Sequence, residues 1–186
     1  MVSKIRLTGE NATIALGLLE EASAVLTSHR IGFCVDSGTL LGIVRENRLL
    51  PWDNDLDFSV FAPEKAAMDL ALEEFRARGF EVQVLKLKQD LGPLRRGTLR
   101  LCKITRQEVL LDLIVKYPHE DFHYWVIWGT LKRAPAHFYE PLSELAFGGV
   151  TYPVPGRLDE YLTYRYGDWR TPKKTWDIRK DDGAIV

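Results

Sequence analysis

The sequence has little of several features that define whole classes of protein. Its 186 residues contain two cysteines, no internal repeat, and no apolar run near the ~20 residues of a membrane-spanning helix. Basic and acidic side chains are nearly balanced, with 25 Lys and Arg against 26 Asp and Glu. Such a balance argues against broad neutralisation of nucleic-acid phosphates. We therefore expect neither a membrane span nor a nucleic-acid partner.

The cysteines and the N-terminal residues indicate a reducing compartment. Cys34 and Cys102 each lie in strand-like sequence, and their spacing suits neither a metal site nor a redox pair. Two reduced and mostly buried thiols are the expectation. Residues 1–6 carry charge but are followed by residues 8–11, which are polar, instead of the apolar core of a signal peptide. The sequence therefore predicts a cytoplasmic protein.

Hydrophobic periodicity predicts one α+β domain over residues 1–186. The composition, with 46% hydrophobic and 27% charged residues, is that of an ordinary globular chain of single-domain length. Apolar spacing predicts helices over 11–29, 63–79 and 158–165, and a further helical turn or two after 37–39. The predicted strands are 30–36, 53–61, 80–87, 98–104, 109–115 and 122–128. Helix-flanked strands followed by a meander favour a mixed or antiparallel sheet flanked by helices.

Two carboxylates mark the strand predicted at 53–61. Side chains two residues apart share one face of a strand, so Asp55 and Asp57 point the same way while Leu56 and Phe58 point into the core. Such carboxylates repel each other unless a cation lies between them, and Mg²⁺ favours oxygen ligands completed by water and substrate phosphates. The alternative is a solvated strand face without chemistry.

A third carboxylate, Asp112, interrupts the apolar run 109–115. Burying an unpaired carboxylate is costly, so an aspartate in such a run is paired, hydrogen-bonded or bound to a metal. On a strand beside Asp55 and Asp57, it would complete a divalent-metal site suited to phosphoryl chemistry. The alternative is a buried ion pair with an arginine or a lysine.

Small residues at 37–39 join the first predicted strand to the helical turn that follows. Gly38 allows the backbone to come close to a phosphate, and amides at a helix N-terminus point at its oxygens. Gly38 and Thr39 are therefore candidates for a phosphate-binding turn, with a simple tight turn as the alternative. The carboxylates downstream favour the phosphate-binding interpretation.

Two stretches of the sequence, 36–45 and 50–58, resemble the LicD family. They read Asp-Ser-Gly-Thr-Leu-Leu-Gly-Ile-Val-Arg and Leu-Pro-Trp-Asp-Asn-Asp-Leu-Asp-Phe, and their combination is highly specific. Residues 147–155 and the residues that follow, up to Pro172, are similar to the closing motif of that family. The resemblance extends over about residues 31–172, most of the chain.

The resemblance implies a nucleotidyltransferase-like fold and a transferase activity. The implied reaction moves a phospho-alcohol, for example phosphocholine or ribitol phosphate, from a CDP-linked donor to a hydroxyl of a sugar or glycan. Asp55 and Asp57 match the metal-binding pair of the family. Asp53 matches the additional aspartate in front of that pair, and Asp112 fits the third carboxylate.

These residues together predict a mechanism. Mg²⁺, or Mn²⁺, held by the aspartates would neutralise the donor diphosphate and orient in-line attack by the acceptor oxygen. Gly38 and Thr39, which match the phosphate-binding turn of the family, would hold phosphate oxygens. Arg45 would pair with a phosphate, the alternative being a surface charge that ends a helix. Either Asp53 or Asp112 would accept the proton of the acceptor.

Alternatives remain for the function and for one aromatic residue. One alternative function is a nucleotidyltransferase that moves a nucleoside monophosphate, and the other is a non-catalytic relative that binds nucleotides. Identifying which part of the donor is transferred to the acceptor distinguishes a nucleotidyltransferase from a phospho-alcohol transferase. Nucleotide binding without turnover would identify the non-catalytic relative. Trp52 is expected to anchor its turn in the core, with stacking on a base or alcohol as the alternative.

Overall fold

The helices form where apolar residues recur at helical spacing. The computed structural model describes residues 5–173 and 175–186, so the first four of the N-terminal residues discussed above lie outside the described residues. The α-helices are Glu10–Ser28 (α1), Ser37–Glu46 (α2), Lys65–Ala77 (α3) and Leu158–Tyr166 (α4). The three helices with predicted bounds are confirmed to within two residues at each end, and the helical stretch expected after 37–39 is α2.

Six strands lie at the six predicted positions, and three more follow. The strands are Phe33–Val35 (β1), Asp55–Phe61 (β2), Glu81–Lys86 (β3), Leu99–Arg106 (β4), Val109–His119 (β5), Phe122–Ile127 (β6), Thr130–Pro135 (β7), Ser143–Phe147 (β8) and Val150–Val154 (β9). The last three go beyond the prediction, which expects only short pieces among the prolines there. Pro153 lies within β9 because β8 and β9 form a separate two-stranded hairpin, where a missing backbone donor is tolerated at an edge.

The sheet is mixed, as predicted. Its strand order is β1-β2-β5-β4-β3, with β6 paired to the end of β5 and β7 paired to β6. Only the β2–β5 pairing is parallel among the strand pairs of the described residues, and the others are antiparallel. Helices and a mixed sheet together confirm the α+β class.

The two faces of the sheet have different characters. One face is apolar, and α1 and α3 cover it with side chains that are fully or almost fully buried. Strands β2 and β5 contribute Leu56, Phe58 and Leu113 to that core, each with no exposed surface. Because side chains alternate along a strand, the residues between them, including Asp57 and Asp112, face the opposite side. The chemistry predicted from the sequence therefore belongs to the face that α1 and α3 leave uncovered.

Two simpler expectations concern the thiols and the helices. Cys34 and Cys102 are free and buried, which confirms the prediction of unpaired thiols in strands. Within the described part of the chain, no helix combines the length and the apolar character needed to cross a bilayer.

Candidate active site

The turn that begins α2 is shaped by a buried aspartate. Asp36 caps the helix, and its carboxylate accepts a hydrogen bond of 2.6 Å from the backbone N–H of Ser37. Ser37 has φ 52°, a left-handed conformation that is uncommon for a residue with a side chain. Ser37 and Gly38 line a cavity with the N-terminal end of α2, where free backbone N–H groups favour an anion.

Gly38 and Gly42, one helical turn apart, explain why the two sequence motifs occur together. A side chain on Gly38 would overlap the carboxylate of Asp53, and a Cβ on Gly42 would lie 2.6 Å from the backbone oxygen of Arg48. The glycine face of α2 therefore packs against the segment that carries Asp53 and leads into β2. Gly38 thus makes room for Asp53, in addition to the predicted approach of a phosphate.

Asp55, Asp57 and Asp112 meet on one face of the sheet. Strands β2 and β5 are parallel neighbours whose register pairs Asp57 with Asp112 and Asp55 with Leu110. Neighbouring strands lie about 4.7–4.9 Å apart, so the paired aspartates are side by side, with Asp55 two residues away on the same face. All three line the cavity. The structure brings together the three carboxylates that the sequence singles out.

Burial and mutual repulsion make these carboxyls weak acids. Burial, reinforced by the charge of Asp53, raises the pKa of Asp55 to about 7. Burial also raises the pKa of Asp112 to about 6, although Lys103 acts in the opposite direction. The pKa of Asp57 is well above its usual range because of burial and the charges of Asp55 and Asp112. Burial likewise raises the pKa of Asp53. These four carboxyls therefore lack enough nearby positive charge to balance their negative charges.

One lysine reaches this acidic group from β4. The register of β4 on β5 pairs Lys103 with Asp112, and Lys103 Nζ donates to the two Asp112 oxygens at 3.1 and 3.4 Å. With the side chains so arranged, residues 5–173 and 175–186 contain no group of three or more His, Cys, Asp or Glu placed to hold a metal ion. Both interpretations of Asp112 describe part of its surroundings, since it lies beside Asp57 and is also paired with a lysine.

Three other residues singled out from the sequence have distinct environments. The Thr39 hydroxyl is buried and accepts a 2.9 Å hydrogen bond from the backbone N–H of Asp57, and Thr39 does not line the cavity. Arg45 lines the cavity, and its guanidinium donates to Glu46 at 2.9 and 3.1 Å. Trp52 is 51% exposed beside the cavity, so the expected anchor in the core is wrong and its ring is free for stacking.

The cavity has a volume of about 610 Å³ and an aromatic lining that the sequence does not predict. All five tryptophans of the chain line it: Trp52, Trp125, Trp128, Trp169 and Trp176. Trp128 is 66% exposed, whereas the indole N–H groups of Trp169 and Trp176 are buried without an acceptor among the described residues. Aromatic faces of this kind suit a nucleobase or the ring of a sugar.

Several cavity residues escape the sequence patterns altogether. Arg100 and Lys103 are ordinary charged residues of an alternating strand, and only the register of β4 on β5 places Lys103 opposite Asp112. Asp168 and Trp169 lie just beyond α4, in the stretch that resembles the closing motif of the family, and they line the cavity from the side of the C-terminal segment. Motif similarity marks that stretch, but no local pattern predicts where it packs.

A buried ion pair network holds Asp36 beneath the α2 turn. Its carboxylate accepts hydrogen bonds from Lys116 Nζ at 2.7 Å, from the Ser59 hydroxyl and from the Tyr161 hydroxyl, and Arg165 Nη1 lies at 3.5 Å. Burial by itself would raise the pKa of Asp36, but the charges of Lys116 and Arg165 outweigh burial and hold it below the usual range. The cap of α2 is therefore a fixed negative charge.

Comparison with known proteins gives one family and several relatives. The family model described as "LicD/FKTN/FKRP, nucleotidyltransferase domain" matches residues 30–157. An uncharacterized protein of Rickettsia prowazekii (strain Madrid E) is 24% identical over 173 residues, which are 90% of this chain and 59% of that protein. The Homo sapiens protein named Ribitol-5-phosphate transferase FKTN is 28% identical over 169 residues, which are 88% of this chain and 34% of that protein.

The chain therefore spans between about a third and about three-fifths of the length of these two relatives. Among solved structures, a crystal structure of ANT(2'')-Ia in complex with adenylyl-2''-tobramycin is 14% identical, with a TM-score of 0.46. That similarity covers 75% of this chain and 68% of the other.

Proposed function

The chain belongs to the LicD/FKTN/FKRP family of nucleotidyltransferase domains, and on that premise we propose that it transfers a phospho-alcohol from a CDP-linked donor to a hydroxyl of a glycan. Phosphocholine and polyol phosphates such as ribitol phosphate are the candidate groups. One observation carries the proposal: Asp57 and Asp112 lie side by side in a cavity that the N-terminal end of α2 also lines. Carboxylates and an anion-binding helix end in one cavity suit the binding of a diphosphate together with a cation.

The oxygen donors of these residues suit a divalent cation such as Mg²⁺ or Mn²⁺, although the described side chains are not arranged around one. Asp55, Asp57 and Asp112 would hold it, with Asp53 in support, and their oxygens are the ligands that hard cations prefer. The raised pKa values of Asp55 and Asp112 reflect buried carboxyls that lack enough positive charge. A bound cation supplies that charge and offsets the negative charge of the donor diphosphate.

The other cavity residues would bind the donor. The backbone N–H of Gly38 lies at the cavity end of α2, where phosphate oxygens are favoured, whereas that of Ser37 already donates to Asp36. Arg100 adds a guanidinium to the same lining, and Trp128 offers an exposed ring on which a cytosine would stack. A donor bound in this cavity would also displace water, which would otherwise compete with the acceptor hydroxyl.

The transfer exchanges the phosphoanhydride bond of the donor for a phosphate ester bond to the acceptor. The acceptor oxygen forms a bond to the phosphorus of the phospho-alcohol, the bond from that phosphorus to the CMP oxygen breaks, and CMP leaves. A carboxylate of the cavity, Asp53 or Asp112, accepts the proton that the acceptor hydroxyl loses.

Release of CMP tests the proposal. The purified protein, given CDP-choline or CDP-ribitol with Mg²⁺ and a glycan acceptor, is expected to release CMP. Asp57→Asn should lower that rate by at least about 100-fold, because it removes a carboxylate at the centre of the site. Asp69→Asn on the exposed surface of α3 is the control and should retain the parent rate.

Two outcomes would redirect the proposal. Transfer of the nucleoside monophosphate to the acceptor would identify the nucleotidyltransferase alternative, and nucleotide binding without turnover across a broad donor panel would identify a non-catalytic relative. Unchanged turnover in a correctly folded Asp57→Asn variant would rule out the role of the aspartates.

A further inference from the structure

Three charged residues form a row across neighbouring strands of the sheet. Lys103 on β4, Asp112 on β5 and Asp57 on β2 are in register, so Asp112 lies between a lysine and an aspartate. The two oxygens of Asp112 lie 3.1 and 3.4 Å from Lys103 Nζ, and the Lys103 side chain is 25% exposed where it lines the cavity. One side of Asp112 therefore already holds a positive charge.

The lysine side of Asp112 offers no second carboxylate for a metal ion among the described residues of β3, β4 and β5 that line the cavity. The residues of β3 and β4 that line the cavity are Gln83, Leu85, Arg100, Leu101 and Lys103. None of these described residues is acidic, and the neighbours of Asp112 on the same face of β5 are Leu110 and Ile114. An ion placed there would find a single carboxylate, and an ammonium group already occupies that carboxylate. The opposite side of Asp112 faces Asp57 and, beyond it, Asp55.

We propose that Lys103 is the fixed cation of this site and acts towards the substrate, so that the site takes one divalent ion. The inference rests on the proposed function, because it concerns the same cavity and the same donor. A lysine has three N–H donors, and Asp112 engages at most two of them. The remaining donor is available to a phosphate oxygen of the CDP-linked substrate, whose charge Lys103 would help to offset.

The number of bound ions tests this inference. Equilibrium dialysis of the purified protein against Mn²⁺ is expected to saturate at one ion per chain, and Asp57→Asn should abolish that binding. Saturation at two ions per chain would overturn the role of Lys103 and leave metal-dependent transfer intact. No bound Mn²⁺ would overturn both the inference and the metal part of the proposed function, so the two failures are distinguishable.

Substitution of Lys103 separates a role towards the substrate from a purely structural ion pair. Lys103→Met keeps the aliphatic stem and should weaken CDP binding about tenfold or more, because a charge-assisted hydrogen bond is lost. Calorimetry at saturating Mn²⁺ measures the affinity for CDP. Lys103→Arg should recover most of that affinity. In Lys103→Met the KM for the donor should rise in parallel with the loss of CDP affinity. Lys88→Met, at an exposed lysine, is the matched control and should bind CDP as the parent does.

The structural explanation predicts a different result. If Lys103 served only to pair Asp112, Lys103→Met would lower the unfolding free energy while CDP affinity and KM stayed at the parent values. That outcome would overturn the proposal.

Discussion

Two charged regions of the molecule differ in how their charges are paired. One is the acidic floor of the cavity, formed by Asp55, Asp57 and Asp112, and the other is the ion network beneath α2. The network consists of Asp36, Lys116, Arg165, Asp182 and Lys132, all of them buried. Arg165 donates to the two Asp182 oxygens at 2.7 and 2.8 Å, and Lys132 donates to Asp182 at 2.5 Å. In the network, two carboxylates face three cations, whereas on the floor three carboxylates face one ammonium.

The difference separates a structural role from a binding role. A buried charge that has lost its hydration must be compensated, and the network compensates each of its carboxylates within the protein. On the floor Lys103 pairs only with Asp112, and burial together with the neighbouring carboxylates raises the pKa values of Asp55, Asp57 and also Asp112. Groups with perturbed pKa values in a cavity are typical of functional sites. The network therefore has a structural role, and the floor is where we propose that a cation binds.

The largest expected effect tests the structural side of this comparison. Asp36→Asn leaves Lys116 buried without its counter-charge, while Arg165 keeps Asp182, so the free energy of unfolding should fall by about 3–5 kcal/mol. Urea denaturation followed by circular dichroism measures it. Asp69→Asn, at an exposed residue of α3, should change stability by less than about 0.5 kcal/mol. A loss for Asp36→Asn no larger than that of the control would contradict a structural role of the network.

The same substitution on the floor should act in the opposite direction. Asp57→Asn removes one of three neighbouring negative charges, and unit charges about 6 Å apart repel by about 2 kcal/mol at effective dielectric constants of 20–40. The variant should therefore be more stable than the parent by about 2 kcal/mol in urea denaturation at pH 8 without divalent ions. A destabilised variant would show that the floor, like the network, is compensated within the protein.

The stability contributions of the floor and of the network should change with pH in opposite directions. Folded Asp55 and Asp112, with pKa values of about 7 and about 6, keep protons that unfolded aspartates with pKa near 4 have released. The folded state thus binds more protons, so without divalent ions the floor loses stability as the pH rises from about 4 to about 7. Asp57→Asn should make this decline shallower. Asp36, whose folded pKa is lowered, contributes stability above pH about 4 and loses it as the pH falls.

The sequence predicts the floor far better than its surroundings, because the signals that mark the floor come from residues close together in the sequence. Asp55 and Asp57 share a face by the two-residue period of a strand, and Asp112 is conspicuous because it interrupts an apolar run. Both signals are local, and so are the periodicities that predict the helices and the first six strands. The parallel pairing of β2 with β5 is not local, but the buried carboxylates indicate which strands must meet.

The position of Lys103 opposite Asp112 could not be predicted, because the turn that sets the register of β4 on β5 lacks the usual sequence signature of a hairpin. Gln107 and Glu108 connect β4 to β5 with φ values of 48° and 69°, and this two-residue turn places Lys103 opposite Asp112. Hairpin turns with two positive φ values usually contain Asn-Gly or Asp-Gly, which this chain does not have there. The contact of Arg165 with Asp36 spans 129 residues, and no periodic pattern encodes such a distance.

The smallest expected effect concerns a side-chain hydrogen bond between α2 and the floor, beside the backbone hydrogen bond from Asp36 N–H to the Asp57 oxygen. Thr39 follows the Asp36 cap by three residues, and its hydroxyl accepts from the backbone N–H of Asp57 at 2.9 Å. Thr39→Val keeps the shape but leaves that N–H without its acceptor, so the free energy of unfolding should fall by about 1 kcal/mol. Thr39→Ser retains the hydroxyl and should lose less, since only a methyl group is removed. Equal losses for the two variants in urea denaturation would mean that packing, and not the hydrogen bond, joins the α2 turn to the acidic floor.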